Sequence, residues 1–320
     1  MDPTDSDAGY EAATAAVALL DRSERGKLAV SGPDAAAYLD SLLSNDIAAV
    51  VAGSGVDATL LTHKGRMLAE VRVLAAQDEL LLDTERVALQ ALFDALTQFR
   101  IGYRAELHKR TLQRGLLSLI GPAADGVLEQ APGPAEHDHL ATAVAGLPVR
   151  AIRTDVGVDV LCAGEDADAI AAALRGAGAA PIDEAVAEIV RVERGRPRFG
   201  VELGEDAMPQ EAGLHERAVS YGKGCYVGQE TVARLYWKGK PNRHLRGLRF
   251  SAAARPGAAL LLGEQPVGAV ASVVASPRLG TIGLALVRRE AEPGAVLAVG
   301  DAGATAVVVE LPFPIGFAPQ

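Results

Sequence analysis

The 320-residue sequence predicts an α+β fold with an all-β module at its C-terminal end, and three observations carry that reading. Strand-like apolar runs alternate with helical apolar stripes up to about residue 197. Within that part the order β-β-β-α-β recurs, which places helices on one face of an antiparallel sheet. From about residue 243 helical periodicity vanishes, and short apolar runs alternate with Gly/Pro turns, the pattern of a small antiparallel barrel or sandwich. The order expected is therefore α+β, α+β, then all-β.

Taken in chain order, residues 1 to 13 are acidic and polar and read as a loose tail. Lys27 to Val30 reads as a strand, Ser31 and Asp34 as a capping pair around Pro33, and Leu39, Leu42 and Leu43 as the apolar face of a helix. "DATLLTHKGRMLAEVRVLA" and "ELLLDT" supply strands, with "HKG" as a hairpin turn. Leu89, Leu92, Phe93, Leu96 and Phe99 recur at helical spacing, and "YRAELHKR" returns as a strand. "LLSLIGP", "GLPVRAIRT" and "VGVDVLCAG" repeat the strand pattern. "EDADAIAAALRGAG" is a helix stopped by glycine, and a second helix runs from about Asp183 to Glu193. After the connector, "HLRGLRF", "AALLLG", "PVGAVASVV", "TIGLALV", "AVLAVG" and "ATAVVVE" are the barrel strands.

Composition excludes several function classes. Apolar residues make up 49% of the chain, enough to bury a large core. The formal net charge is −10, and no lysine/arginine block forms a phosphate-coating stripe, so direct nucleic-acid binding is not expected. The richest local basic stretch is "ARLYWKGKPNRHLRGLR". The N-terminus has neither a basic start nor an apolar core of a signal peptide, and no apolar run is long enough to span a bilayer. With two cysteines and no CxxC or histidine cluster, neither a disulfide framework nor a metal site is expected, and the chain reads as soluble and cytoplasmic. The six histidines, at 63, 108, 137, 139, 215 and 244, read as surface residues of loops and strand ends.

"YGKGCYVGQETVAR", residues 221 to 234, concentrates the chemistry. A thiol reacts as its thiolate, and a nearby cation or helix N-terminus lowers its pKa. Cys225 has Lys223 two residues away and a predicted helix starting just after Gly228, whereas Cys162 sits in an apolar strand as a small hydrophobe. Glu193 ends a helix, where a solvated carboxylate is the ordinary reading.

"KGCYVGQE" (223 to 230) resembles the signature of the folate-binding YgfZ family, which is related to the T-protein (aminomethyltransferase) of the glycine cleavage system. "LAVSGPDAAAYLDSLLSNDI", "THKGRMLAEVRV", "RVERGRPRFG", "MPQEAGL" and the terminal "PFP" are similar to further parts of that family. The resemblance implies a three-domain cloverleaf of the T-protein type: a discontinuous first α+β domain (1–48 and 112–200), a second α+β domain (49–111), a motif-bearing connector (201–242) and a C-terminal antiparallel β-barrel (243–320). It implies tetrahydrofolate or a folate derivative as cofactor. It also implies a role in iron–sulfur cluster assembly or repair, and through that in tRNA modification enzymes, with iron–sulfur enzymes or assembly proteins as partners. By position, Lys223 and Cys225 match the functional lysine and cysteine, and Glu193 the carboxylate that hydrogen-bonds the pterin. Glu211, Tyr226, Gln229, Glu230 and Arg234 fall at folate-lining positions, with Tyr226 and Trp237 as stacking candidates. T-proteins carry two adjacent aspartates in the second-domain hairpin, where this chain has Ala69 and Glu70. That departure points away from classical aminomethyl transfer; the alternative is a folate-dependent one-carbon transferase in which Glu70 replaces one carboxylate.

Overall fold

A computed structural model describes residues 3–300 and 303–313. Residues 301–302 and 314–320, inside the span expected for the barrel and including Pro314 of the "PFP" segment, lie outside the described residues, as do residues 1 and 2. In chain order the first elements are α1 (Pro3–Ala15), β1 (Ala18–Asp21), β2 (Gly26–Ser31), α2 (Ala35–Asp40), β3 (Gly55–Leu61), β4 (Met67–Ala75), β5 (Glu79–Thr84), α3 (Leu89–Gln98) and β6 (Glu106–Lys109). They continue with β7 (Arg114–Ile120), β8 (His139–Val144), β9 (Leu147–Thr154), β10 (Gly157–Ala163), α4 (Ala167–Gly176), β11 (Ala180–Pro181) and α5 (Glu184–Glu193). The stretch read as a tail is thus largely helix α1: its Ala13 is buried, and Gly9 approaches Ile182 so closely that a Cβ there would stand 3.0 Å from it.

The chain divides into two compact units, each assembled from separate segments. The first comprises Met1–Leu61, Leu68–Ala187 and Arg217–Val227; the second comprises Thr62–Met67, Glu188–Glu216 and Gly228–Gln320. Two sheets build the first unit. One is ordered β11-β1-β7-β10-β9-β8, the other β3-β4-β5-β2-β6. β2 pairs antiparallel with both β5 and β6, so Gly26–Ser31 belongs to the sheet of residues 55–109.

Period-2 alternation explains β4: Met67, Ala69, Val71 and Val73 are buried on one face, while Leu68, Glu70 and Arg72 are half-buried on the other. The six-stranded sheet buries Leu117, Leu119, Val158 and Val160 under Ile170 and Leu174 of α4. That helix ends as its glycines predict, with Gly178 at φ 106° donating to the Arg175 carbonyl. The expected Ser31/Asp34 capping pair does not form. Asp34 instead accepts from the backbone N–H and guanidinium of Arg104, and Ser31 Oγ meets His108 Nε2 at 3.0 Å.

Between the two sheets, Arg72 reaches Asp83 of β5 at 2.9 Å and Asp159 of β10 at 2.7 Å, and Asp159 also accepts from Ser118. Because this guanidinium is nine-tenths buried, removing it takes the cation from Asp159, which keeps Ser118, and one of two from Asp83, which keeps Arg25 at 2.9 Å. Arg72→Met is therefore expected to lower the unfolding free energy by about 3 kcal/mol, read from urea melts. An unchanged midpoint would show that the sheets hold together without the clamp.

The second unit contains α6 (Gln229–Lys238) and the strands β12 (Arg243–Phe250), β13 (Ala259–Leu262), β14 (Gln265–Ala269), β15 (Ser272–Ser276), β16 (Gly280–Arg288), β17 (Val296–Val299) and β18 (Ala304–Val309). Their order is β12-β18-β17-β13-β14-β16, and β12 also pairs with β16 over Arg243–Arg249, which closes a six-stranded antiparallel barrel. β15 hangs on the free portion of β16. There Gly283 is obligatory, since a Cβ would run into the Ser272 carbonyl. Leu248, Leu260, Val287, Leu297, Ala306 and Val308 fill the barrel. Among the described residues, no helix is long and apolar enough to cross a membrane.

Candidate functional site

The motif segment is sewn to the end of α2. Ser220 N–H donates to the Ser44 carbonyl at 2.9 Å, Ser44 Oγ to the Ala218 carbonyl at 2.6 Å, and Asn45 Nδ2 to the Arg217 carbonyl at 3.0 Å. Lys223 completes the seam. Its ammonium lies 2.8 Å from Asp40 Oδ1 and 2.6, 3.0 and 2.7 Å from the carbonyls of Asp40, Leu43 and Asn45. The side chain is only 1% exposed, and burial pulls its pKa down against the pull of Asp40. All of the N–H donors of the Lys223 ammonium are spent on residues 40–45, which ties the motif loop to that segment.

Cys225 itself is exposed, and positions 222 and 224 face open space where a Cβ would stand. Tyr226 is buried, with the Lys223 ammonium 5.5 Å from its ring centroid; burial pushes its phenol pKa up. These features place an accessible thiol on a firmly anchored loop.

A second group in the same unit was not legible from the sequence. Asp57 of β3 is buried and accepts from Arg217 Nε at 2.7 Å, while His137 Nε2 stands 3.3 Å away and Arg217 also pairs with Glu136 at 2.9 Å. His137 and His139 are buried, contrary to the surface reading. His137 adopts a left-handed φ of 72° that brings it onto Asp57. Asp57, Glu136 and His137 bring ligand atoms within 4.8 Å of one another, but the Arg217 guanidinium already supplies the positive charge that a metal would bring. Burial works against the charge of Asp57, yet the hydrogen bond and charge of His137 and the Arg217 guanidinium outweigh it, holding the carboxyl at about 2. Glu70 goes the other way. Burial first, and the negative charge of Asp57 second, push it up to about 8. Two carboxyls in one electrostatic neighbourhood are thus driven apart, one ionised and one holding its proton at neutral pH. Their partners lie 80 or 160 residues apart in the chain, and no local spacing could announce them.

In the second unit, Glu193 is buried at the end of α5, where it accepts from Ser276 Oγ and from Arg278 at 3.1 Å. Arg278 is half exposed. Glu211 is also buried, but its oxygens accept from the Met208 N–H at 3.1 Å, Arg66 at 3.3 Å, and Arg243 at 3.0 and 3.2 Å. That saturation makes Glu211 the ionic anchor of the connector. Gly65, at φ 73° in the β3–β4 turn, lets the chain pass Met208 and Val232, which a Cβ would approach to 3.3 Å. On α6, Gln229 is half-buried, while Glu230 and Arg234 are exposed. Trp237 is 70% exposed and packs edge-on against Tyr236 with centroids 4.8 Å apart. Of the nominated residues, then, Lys223 and Tyr226 come together, Glu193 and Glu211 occupy separate ionic clusters, and Trp237 faces solvent.

The fold and these positions can now be set beside known proteins. The family model of the GCVT N-terminal domain matches residues 4–223, and that of the glycine cleavage T-protein C-terminal barrel domain matches residues 243–313. An aminomethyltransferase of Mycobacterium tuberculosis is 32% identical over 299 residues, covering 88% of this chain and 80% of the relative. One of Mycolicibacterium paratuberculosis is 31% identical over 325 residues, covering 95% and 87%. A putative chloroplastic transferase of Arabidopsis thaliana is 26% identical over 309 residues, covering 93% and 71%. Among solved structures, the glycine cleavage system aminomethyltransferase T of Bartonella henselae superposes with a TM-score of 0.87 at 24% identity, covering 97% of this chain and 89% of that one, and shares the fold of two α+β domains and a barrel. With the N-terminal model spanning well over half of it, the chain belongs to the glycine cleavage T-protein family.

Proposed function

We propose that this protein binds tetrahydrofolate or a close derivative and supports iron–sulfur cluster assembly or repair in the cytoplasm, and through it tRNA-modifying enzymes, using the thiol of Cys225. The observation that carries the proposal is the motif loop: Lys223 spends its ammonium on residues 40–45 and leaves Cys225 exposed on a fixed base. The resemblance of "KGCYVGQE" to the YgfZ signature supports the cluster-related role. Membership of the T-protein family supports folate. The residues present fit that cofactor: Glu193 is a buried carboxylate whose guanidinium partner, Arg278, is half exposed. An aminopyrimidine edge, with two parallel N–H donors, is the chemical equivalent of that guanidinium. In this reading Gln229, Glu230 and Arg234 line the folate channel, whereas Glu211 acts from behind, holding the connector.

Cys225→Ala is expected to bind tetrahydrofolate as tightly as the parent in calorimetry, yet to fail to restore iron–sulfur enzyme activity to a strain lacking the protein. Full restoration would refute a thiol-dependent role. Glu193→Ala is expected to weaken tetrahydrofolate binding at least tenfold, through loss of about 1.5–3 kcal/mol of charged hydrogen bonding. Calorimetry is the appropriate readout because Trp237 is exposed and packs edge-on against Tyr236.

A second reading is a folate-dependent one-carbon transferase, and Glu70 favours it. A carboxyl at about 8 beside an ionised Asp57 is an acid competent to deliver a proton at neutral pH. That reading predicts transfer of formaldehyde equivalents to tetrahydrofolate, lost in Glu70→Gln.

A further inference from the structure

The five-stranded sheet of the first unit ends in a free edge. β6 pairs antiparallel with β2, His108 opposite Ala29 and Glu106 opposite Ser31, and among the described residues no strand lies beyond it. The Arg110 N–H donates to the Lys27 carbonyl at 2.9 Å, which sets the phase of the ladder. Residues 106, 108 and 110 therefore bond towards β2, and the N–H and C=O groups of Leu107 and Lys109 point outward. An exposed row of this kind is a template for another strand.

Edges of natural sheets are commonly guarded by a projecting lysine, but here Lys109 lays its ammonium back over the Phe93 ring, 3.9 Å from the centroid. The remaining charges match one another under a two-fold axis. Glu106 is 76% exposed, and its ion-pair contact is His108 at 3.7 Å. Arg110 gives one nitrogen to the neutral amide of Gln113, stands 4.0 Å from Glu79, and has a buried Nε without an acceptor. Glu106 and Arg110 lie on one face of the strand, on either side of His108. An antiparallel copy centred on His108 sets Glu106 against Arg110 at both ends, and Leu107 against Lys109, the residues whose backbone groups face outward. Ile101 at 90% and Leu112 at 93% bracket the strand and are the most exposed large apolar side chains among the described residues. Antiparallel pairing brings the Leu112 end of one copy to the Ile101 end of the other.

We propose that β6 is the contact of a homodimer, in which two copies of this chain pair edge to edge, centred on His108, and join their five-stranded sheets into one. The patch is self-complementary, as a two-fold interface must be. A strand of four residues makes the interface small and the association weak and reversible.

Sedimentation of the full-length protein, from low micromolar to near-millimolar concentration, is expected to show a monomer–dimer equilibrium. Hydrogen exchange at the Leu107 and Lys109 amides is expected to slow as the dimer fills, because those amides gain acceptors only in the pair. Glu106→Arg sets like charges face to face at both ends and is expected to weaken the dimer about tenfold or more. Arg110→Glu alone does the same, while an equimolar mixture of the two variants restores dimerisation, since arginine then meets glutamate at both ends. If Arg110→Glu misfolds, Lys109→Pro takes its place: that N–H faces away from β2, so the substitution removes an intermolecular donor and leaves the internal ladder intact. A chain that remains monomeric throughout overturns the proposal, whether or not a strand of another protein takes the edge. So does a dimer whose affinity is unmoved in Glu106→Arg and Lys109→Pro, or one that leaves the Leu107 and Lys109 amides unprotected.

Discussion

Lys223→Ala is expected to destabilise the first unit by about 3–5 kcal/mol, the range for breaking a buried charge pair. The magnitude follows from what the ammonium leaves behind. Three carbonyls, of Asp40, Leu43 and Asn45, lose a donor together with the Asp40 carboxylate. Each buried acceptor stripped of its partner costs about 1–3 kcal/mol, and relaxation of a surface loop recovers part of that. Asp40 keeps the Ile47 N–H at 2.8 Å, which limits its own penalty. The measurement is a urea melt of parent and variant, with proteolysis of residues 40–45 as a local probe. A melt within about 0.5 kcal/mol of the parent, the scatter expected of ordinary surface substitutions, would sink the anchoring role. Reactivity of Cys225 toward a thiol reagent separates this role from activation. An anchoring lysine alters the order of the loop, whereas an activating one would shift the pH at which Cys225 reacts.

The second large effect is a pH profile. In the unfolded chain Glu70 releases its proton near 4.5, whereas in the folded protein it holds it to about 8. Between those values the folded state binds the extra proton, so its stabilising contribution is complete below pH 4.5 and is lost as pH rises through about 8, at about 1.4 kcal/mol per pH unit. Asp57 has the opposite sign. Its folded value of about 2, against 3.8 unfolded, contributes stability above pH 3.8 that disappears as pH falls through 2. Glu70→Gln should therefore match the parent near pH 5, exceed it by roughly 2 kcal/mol or more near pH 8.5, and keep the acid limb due to Asp57. Parallel profiles for parent and variant from pH 5 to 9 would show that Glu70 ionises normally.

Much of the fold could be read from periodicity. The strands of 55–84, the helix over 89–98 and the barrel strands each occupy the apolar runs that announced them, because burial of one face imposes period 2 or 3.6 on the sequence itself. The N-terminal helix was missed because an acidic, polar opening outweighed the alanines that follow it. Barrel closure depends on β12 meeting β16 across some forty residues, which no local pattern encodes. The site was legible as chemistry but not as geometry. Glycines and a cysteine marked the loop, yet the partners of Lys223 lie 178 to 183 residues upstream. The sequence therefore shows Lys223 near Cys225 but not the residues 40–45 that hold its ammonium. His137 is the clearest failure. A histidine in a Gly/Pro-rich stretch looks exposed, and its burial beside Asp57 comes from tertiary packing that the local sequence does not show.

The interleaving of the two units bears on how the protein can be made. Residues 217–227, which carry Arg217 and Lys223, belong to a unit whose remaining parts end at Ala187, while Thr62–Met67 belongs to the unit built mostly from later sequence. During synthesis the N-terminal sheets emerge long before the segment that neutralises Asp57 and satisfies the carbonyls of residues 40–45. Those groups lack these partners until translation has passed residue 223, so completion of the first unit waits for a segment made after much of the second unit's connector. A fragment cut between residues 187 and 217 would leave Asp57 and the 40–45 carbonyls without their cations, and an expressed N-terminal half would report on an unfinished protein.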